Sequence, residues 1–310
     1  MANYKWMLRK GGKKERCPQC GRMRFVPFVL TADPSVKAGE IYGRCDREQS
    51  CGYFRYPHLD KDEVTSGPLL YTKTEPVEDK REIMRYKPSF EPLRYNNTLY
   101  KAFASLLPPQ ALELACRRYH IGTGNHGECI FYQFDGENVR TGKAIMYGPD
   151  GHRLKGDGGV SLPVWWMHKA PSCAFDEKRF RIKQCLFGQH LLEQFPDHQV
   201  WLVESEKTAV LMTATDIAEG KYGRIWLACG GSQMLKGSID LGCLKGRSVT
   251  LIPDDGQYWN WLRTAKQYGW TCIDIADLVI DAGMPAGSDI WDLTENRLKK
   301  EYHDELPKTF

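Results

Sequence analysis

Apolar positions change their spacing several times along the chain. Through residues 1–59, short Phe, Val and Tyr runs alternate with turn residues, the pattern of a small β-ribbon. Residues 60–95 carry four prolines (Pro68, Pro76, Pro88, Pro92), dense charge of both signs and few periodic apolar positions, so they read as a linker or extended arm. From residue 98 to 119 the pattern is helical: Leu99, Phe103, Leu106 and Leu107, then Pro108-Pro109 restarting a helix through Leu112, Leu114 and Ala115. Strand-like runs follow at 129–134 and 143–147. From about residue 199 short apolar strands alternate with helices: strand 200–203, helix 206–218, strand 225–229 broken by Gly230-Gly231, strand 248–252 ending at Pro253-Asp254-Asp255, helix 258–268 and strand 272–275. Ser232 is placed to cap a short helix after the glycines. This alternation predicts a parallel α/β sheet, whose ligands bind beyond the carboxyl ends of its strands.

At 310 residues with 42% hydrophobic and 26% charged, the chain is of globular composition with room for about two domains. No window approaches ~18 apolar residues, and Met1-Ala2-Asn3-Tyr4-Lys5 lacks the apolar stretch of a signal peptide. A cytoplasmic protein without a membrane partner is expected. The net charge of +4 is unevenly placed: residues 1–59 hold twelve Lys/Arg against five acids, a balance of +7, which leaves −3 for the remainder. Such asymmetry fits either a module that touches a polyanion or a solvated basic face.

Eleven cysteines without an export signal argue for metal binding over a disulfide framework. Cys17-Pro-Gln-Cys20-Gly forms a knuckle, and Cys45 and Cys51 follow after 24 intervening residues. Four thiolates so spaced suit a tetrahedral structural Zn²⁺, which supplies ~10–16 kcal/mol to a segment otherwise too small and polar to fold. Free thiols or small buried hydrophobes are the competing readings. The other seven cysteines sit among apolar neighbours and are assigned to the core. Lys10, Lys13, Lys14, Arg22 and Arg24 lie close to Phe25, Phe28, Tyr53, Phe54 and Tyr56, so phosphates could meet cations while bases stack on whichever rings are exposed.

The strand 200–203 ends at Glu204, and the strand 248–252 at Asp254-Asp255-Gly256. Acids at the carboxyl ends of parallel strands can half-cage Mg²⁺, or simply start loops and cap helices.

These residues carry a resemblance. The element order, the Glu after the first strand, Gly230-Gly231 after the second and the Asp pair after the third resemble a toprim domain, the metal-binding catalytic domain of bacterial-type primases, topoisomerases and some nucleases. Glu204-Ser205-Glu206-Lys207-Thr208-Ala209 is similar to the E-G-E-K-x-A variant of plasmid and phage primases. Tyr119-His120-Ile121-Gly122, the run 131–134 and Leu186-Phe187-Gly188-Gln189-His190-Leu191-Leu192 resemble the module that precedes toprim, and Cys17 to Cys51 stands where a primase has its zinc ribbon. Asp289-Ile290-Trp291-Asp292-Leu293 is similar to a D-x-x-D-L closing motif. The whole chain resembles zinc-ribbon/toprim proteins of bacterial mobile elements.

The resemblance implies an α/β protein with an N-terminal zinc β-ribbon (1–59), a linker (60–95), a primase-like α+β module (96–198) and a C-terminal toprim domain with a parallel sheet (199–310). It implies primase-related nucleic-acid binding in DNA replication or mobile-element transfer. Single-stranded or primed DNA, nucleotides and a separate helicase or mobilisation protein would be partners. In an active site of this type Glu204 would be general acid/base, and Asp254, helped by Asp255, would hold Mg²⁺ or Mn²⁺. Lys207 would contact phosphate or be a solvated lysine. Lys183, with Lys143, Arg153, Lys155 and Lys169, stands where a primase lines its groove. Gly230 and Gly231 would let amides approach a phosphate, or only end a strand. Trp259 and Trp261 are placed to touch a base.

The chain also departs from the pattern. Gly256 fills the second Asp position of D-x-D, Ser205 replaces the family glycine, and Thr208 stands where replicative primases have Asp. Adjacent Asp254 and Asp255 should point apart, so a weaker metal site is expected. Nucleotidyl transferase, catalytically degenerate DNA-binding accessory protein and toprim nuclease are the three readings.

Overall fold

The computed structural model describes residues 6–47, 51–55, 57, 81–87, 93–156, 162–170, 173, 175–231, 234, 235 and 239–305. Tyr56, His58, most of the expected linker and the expected cap Ser232 lie outside the described residues. Two compact units divide the chain, Met1–Asp79 and Lys80–Phe310. None of the described helices is long and apolar enough to cross a membrane.

The first unit is an antiparallel ribbon of β1 (Trp6–Leu8), β2 (Glu15–Arg16), β3 (Met23–Leu30), β4 (Gly43–Cys45) and β5 (Phe54–Arg55), in the order β1-β3-β4-β5 with β2 also on β3. Its core is small: Phe25 packs with Cys17, Cys45, Cys51, Cys20 and Tyr53. Gly43 is needed there, because a Cβ would come 2.3 Å from the Val26 carbonyl oxygen and 2.5 Å from the Phe25 ring. Gly21 takes φ +67 so that the chain can turn back after the first cysteine pair.

The second unit opens with β6 (Glu82–Ile83), α1 (Thr98–Phe103), α2 (Pro109–Arg118), β7 (Gly122–Thr123), β8 (Cys129–Asp135), β9 (Asn138–Ile145), β10 (Trp165–Trp166), β11 (Phe180–Arg181) and α3 (Leu191–Gln194). β12 (Gln199–Val203), α4 (Glu206–Ala218), β13 (Arg224–Ala228), β14 (Val249–Leu251), α5 (Tyr258–Tyr268), β15 (Thr271–Cys272), α6 (Ala276–Asp281) and α7 (Ile290–Glu305) follow. An antiparallel sheet runs β10-β9-β8-β7, and an all-parallel sheet runs β13-β12-β14-β15. α1 begins with Asn97, whose side chain accepts from the Leu99 and Tyr100 amides, and ends before the Pro108-Pro109 restart.

β8 is buried on both faces, which is why it reads as a continuous apolar run. Cys129 and Phe131 face the large core, while Ile130, Tyr132 and Phe134 form a second cluster with Val139 and Ala144. The boundary expected at 198/199 runs through that large core, which holds residues of α1, α2, β8, β9, α4 and the parallel sheet together. Tyr119 helps join them: its hydroxyl donates to the Trp226 carbonyl, accepts from Thr213 at 2.8 Å, and its ring stacks on Phe187 at 5.0 Å. Of the seven cysteines assigned to the core, Cys116, Cys129, Cys173, Cys185 and Cys229 are buried. Cys243 is exposed and Cys272 half-buried, a correction that follows from their places at a short 3₁₀ turn and on the edge strand β15.

His190, just before α3, is buried and donates its Nε2–H to the Arg118 carbonyl at 3.0 Å, leaving Nδ1 without a partner. Burial lowers its pKa to about 4, with the neighbouring His120 acting in the same direction. The unfolded imidazole titrates near 6.5, so the unfolded chain takes up the proton first as pH falls and the folded state loses stability between those values. Urea denaturation should show the wild type losing about 2 kcal/mol more than His190→Gln between pH 7 and pH 5; equal losses would place His190 outside the pH response.

Candidate functional site

In the ribbon, Cys17 and Cys20 from the β2–β3 turn meet Cys45 at the end of β4 and Cys51 before β5. Among the described residues they are the only group of three or more metal-ligating side chains whose ligand atoms all lie within 4.8 Å of one another. The Cys17–Cys51 and Cys20–Cys45 sulfur separations are 3.7 and 3.9 Å. A tetrahedral ion with Zn–S bonds of about 2.3 Å separates its sulfurs by about 3.8 Å, so the donor set fits zinc.

The ribbon's cations divide by environment. Lys10, Lys13, Arg22 and Arg24 are exposed, whereas Lys14 is paired with Asp46. Arg22 and Arg24 flank the exposed Met23 and, with Asp46 and Arg47, line a cleft of about 480 Å³. Phe25 and Phe28 are core residues, and Phe54 is exposed and packs edge-on against Phe28 at 5.8 Å.

In the second unit the parallel strands β12 and β14 end side by side, which brings Glu204 and Asp254 to the same sheet edge. Asp254 is half-buried, and burial together with the charges of Glu204, Asp289 and Asp292 pushes its carboxyl up to about 8, against a lowering by Lys207. Asp289 precedes α7 and is buried; its carboxyl is also raised, by burial first and then by Asp292, with Lys207 opposing. Asp289 and Asp292 cap α7 reciprocally: the Asp292 amide donates to Asp289 Oδ1 at 2.9 Å and the Asp289 amide to Asp292 Oδ2 at 3.0 Å. The Thr208 hydroxyl donates to the other Asp289 oxygen. The first turn of α4 thus orients an acid 81 residues further along the chain.

Asp255 is separated from this group. Its carboxylate accepts from the Gly287 amide at 3.1 Å and its own amide donates to the Ser288 carbonyl at 3.0 Å, so it secures the loop before α7. Gly256 takes φ +83, which closes the turn into α5. Asp289 and Asp292, quoted above only as a motif, are the acids that join Asp254. The sequence signal for them was the D-x-x-D spacing of a capping pair.

The expected phosphate approach at Gly230 is corrected. Its amide donates to the Glu204 carbonyl at 2.8 Å, and its carbonyl accepts from Lys143 Nζ at 2.7 Å. Lys143 on β9 is itself buried and paired with Glu206 Oε1 at 2.7 Å. A Cβ on Gly230 would lie 2.9 Å from Lys143 Nζ and 3.0 Å from Glu206 Oε1, so a side chain would split the pair. Gly231, also at positive φ, is half-buried and its carbonyl accepts from the Met234 amide at 3.0 Å. Lys207 lies over the Phe103 ring and donates to the Gly151 carbonyl at 3.4 Å. Lys183 faces Asp240 at 3.4 Å on the surface. Trp261 is buried, which removes it from base contact, and Trp259 is exposed.

Breaking the Lys143–Glu206 pair leaves a charge buried alone. Lys143→Met should cost about 3–5 kcal/mol in a denaturation experiment, and the double variant Lys143→Met/Glu206→Leu should recover most of it. A single-variant loss below ~1 kcal/mol would mean that the pair is solvated. In the ribbon, metal analysis should find about one zinc per chain, lost together with the ribbon fold when Cys17 and Cys20 are both changed to Ser; a folded, zinc-free ribbon is the opposing result.

Comparison with known proteins adds four findings. Residues 4–65 match a family described as a zinc beta-ribbon finger. A solved structure, the primase fragment of the bacteriophage T7 primase-helicase protein, is similar at 13% sequence identity and a TM-score of 0.36, covering 72% of this chain and 82% of that chain. No curated protein matches. Residues 97–255, just over half of the chain, match the family described as "Domain of unknown function (DUF6371)", and behind its zinc ribbon the chain therefore belongs to that family.

Proposed function

We propose that this protein is a primase-related nucleic-acid-binding protein of DNA replication or mobile-element transfer, and that the edge formed by Glu204, Asp254 and Asp289 is its divalent-metal site. The single observation that carries the reading is the gathering of acids at this edge: Asp254 is pushed up to about 8 by burial first and then by the charges of Glu204, Asp289 and Asp292, and a divalent cation would relieve that repulsion. Glu204, Asp254 and Asp289 are the residues that would hold Mg²⁺ or Mn²⁺, ions that take a few carboxylates and keep several of their waters. Such an ion, when bound, would neutralise charge developing on a transferred phosphoryl group.

The chain's own residues have distinct parts in this proposal. Glu204 is the general acid/base, and Asp254 and Asp289 hold the ion. Lys207, whose charge lowers the carboxyls of Asp254 and Asp289, balances these acids and meets phosphate. Asp255 holds the loop before α7. Residues 1–59 are the ribbon that grips single-stranded or primed DNA through Lys10, Lys13, Arg22 and Arg24. Residues 60–95 are a linker, 96–198 the primase-like module and 199–310 the toprim domain. Nucleotides and a separate helicase or mobilisation protein are its further proposed partners.

A specific observation also favours a second reading, a catalytically degenerate DNA-binding accessory protein: Gly256 supplies no carboxylate, and Asp255 is turned to the 287–288 loop. Template-directed incorporation of labelled nucleotide with Mg²⁺ or Mn²⁺ separates the two. Activity that falls at least 100-fold in Glu204→Gln and in Asp289→Asn supports the enzyme. Zero activity in wild type alongside DNA binding supports the accessory protein. Activity that Glu204→Gln leaves intact removes the proposed site.

A further inference from the structure

We infer that the exposed face of α5 is a binding track for single-stranded nucleic acid that leads to the acidic edge, with Trp259 as its first stacking platform. The inference rests on the nucleic-acid reading above and names where in the second unit the strand lies.

The composition of α5 is the first argument. Tyr258–Tyr268 contains no acid, two cations (Arg263, Lys266) and two amides (Asn260, Gln267). Its buried side is made by Trp261 and Ala265. Trp259, Arg263, Lys266 and Gln267 recur at the three- and four-residue spacing of one helical face, and all four are exposed. Trp259 is 66% exposed, an unusual position for an indole that has a buried neighbour two residues away.

Geometry supplies the second argument. Asp254 closes directly onto this helix, because its carbonyl accepts from the Gln257 amide at 3.0 Å, so Trp259 stands in the first turn after the acidic edge. From Trp259 to Gln267 the helix rises about 12 Å, room for about three nucleotides at ~3.4 Å each. Beside this face runs a cavity of about 360 Å³, with Leu235, Ile239 and Leu241 on one wall and Asn260, Arg263 and Gln267 among the residues of the other. At the far end Tyr268 stacks on Trp270, with ring centroids 4.6 Å apart and planes 17° from parallel. Aromatic platforms interleaved with cations and amides are what an unpaired strand requires: π-faces for bases, positive charge for phosphates and neutral donors for base edges. The lack of acids on α5 matches a polyanion, and the apolar wall suits unstacked bases.

The test is fluorescence anisotropy of a labelled oligo-dT with the full chain at fixed salt, comparing wild type, Trp259→Ala, Trp259→Phe, Arg263→Glu/Lys266→Glu and the ribbon variant Arg22→Glu/Arg24→Glu. Tyr222→Ala is the control, because Tyr222 is exposed in the turn before β13, at the opposite edge of the sheet. Trp259→Ala should weaken binding ~10-fold, the charge reversal at least as much, and Trp259→Phe only about twofold, with thermal melting unchanged since none of these side chains is buried. Wild-type binding that only the ribbon variant weakens overturns the α5 track and leaves the nucleic-acid reading standing. No binding by wild type overturns both. A change in elution volume for Trp259→Ala at unchanged oligonucleotide affinity would make the face a protein contact and likewise overturn the inference.

Discussion

One buried ion pair fixes how the two four-stranded sheets of the second unit meet. Lys143 reaches from the antiparallel sheet to Glu206 at the start of α4, and the same ammonium donates to the Gly230 carbonyl after β13. Gly230 in turn donates to the Glu204 carbonyl, so the ends of β12 and β13 are tied to each other and to a strand from the other sheet. Pairs of this kind add little net stability, because desolvation offsets attraction, but their geometry is demanding. A lysine with both an ion partner and a carbonyl to satisfy admits few alternative packings. Gly230 is fixed by the same demand, since any side chain there would enter the space that Lys143 and Glu206 share.

With that junction set, the acidic edge follows from strand direction. Strands that run parallel end at one edge, so whatever follows β12 and β14 must gather there. Glu204 and Asp254 are brought near each other for that reason, and burial together with its neighbours' charges raises the Asp254 carboxyl. The third acid arrives by another route. Asp289 caps α7, and α7 is anchored by Trp291, which is fully buried and packs edge-on against Phe103 at 5.3 Å. Helix packing elsewhere in the core therefore decides where Asp289 sits, and Thr208 fixes its carboxylate.

Local signals made much of this architecture legible in the sequence. The helices 206–218 and 258–268 are found with the bounds that their periodicity indicates, since each is flanked by strand runs and turn residues. The cysteine spacing was sufficient to bring four sulfurs to one point. Pattern could not show burial at polar positions. Lys143 reads as one of several cations along a groove, yet β9 is buried along nearly its whole length and places it inside. Trp259 and Trp261 are equivalent in sequence, and the 200° between positions two apart on a helix puts one in water and the other in the core. Asp255 turns to the 287–288 loop while Asp289 comes near Asp254 for a similar reason: adjacency in sequence does not give a shared direction, and a separation of 35 residues does not prevent one.

The uneven placement of charge along the chain acquires a physical meaning from these sites. In the ribbon four thiolates need a dication to fold around, while the exposed Lys10, Lys13, Arg22 and Arg24 leave its surface positive. In the second unit acids gather at the carboxyl edge of the parallel sheet. Gly256 shows why the arrangement there differs from a D-x-D turn. Its φ of +83 is a conformation that a side-chain-bearing residue adopts only with strain, so the chain turns tightly into α5 at the position where a second carboxylate would stand. Asp255, facing the other way, is spent on the 287–288 loop, and that loop delivers Asp289. The acid nearest Asp254 beyond the sheet thus comes from the head of α7 and not from the turn, which makes the proposed metal site dependent on the packing of Trp291 and Phe103 as well as on the sheet.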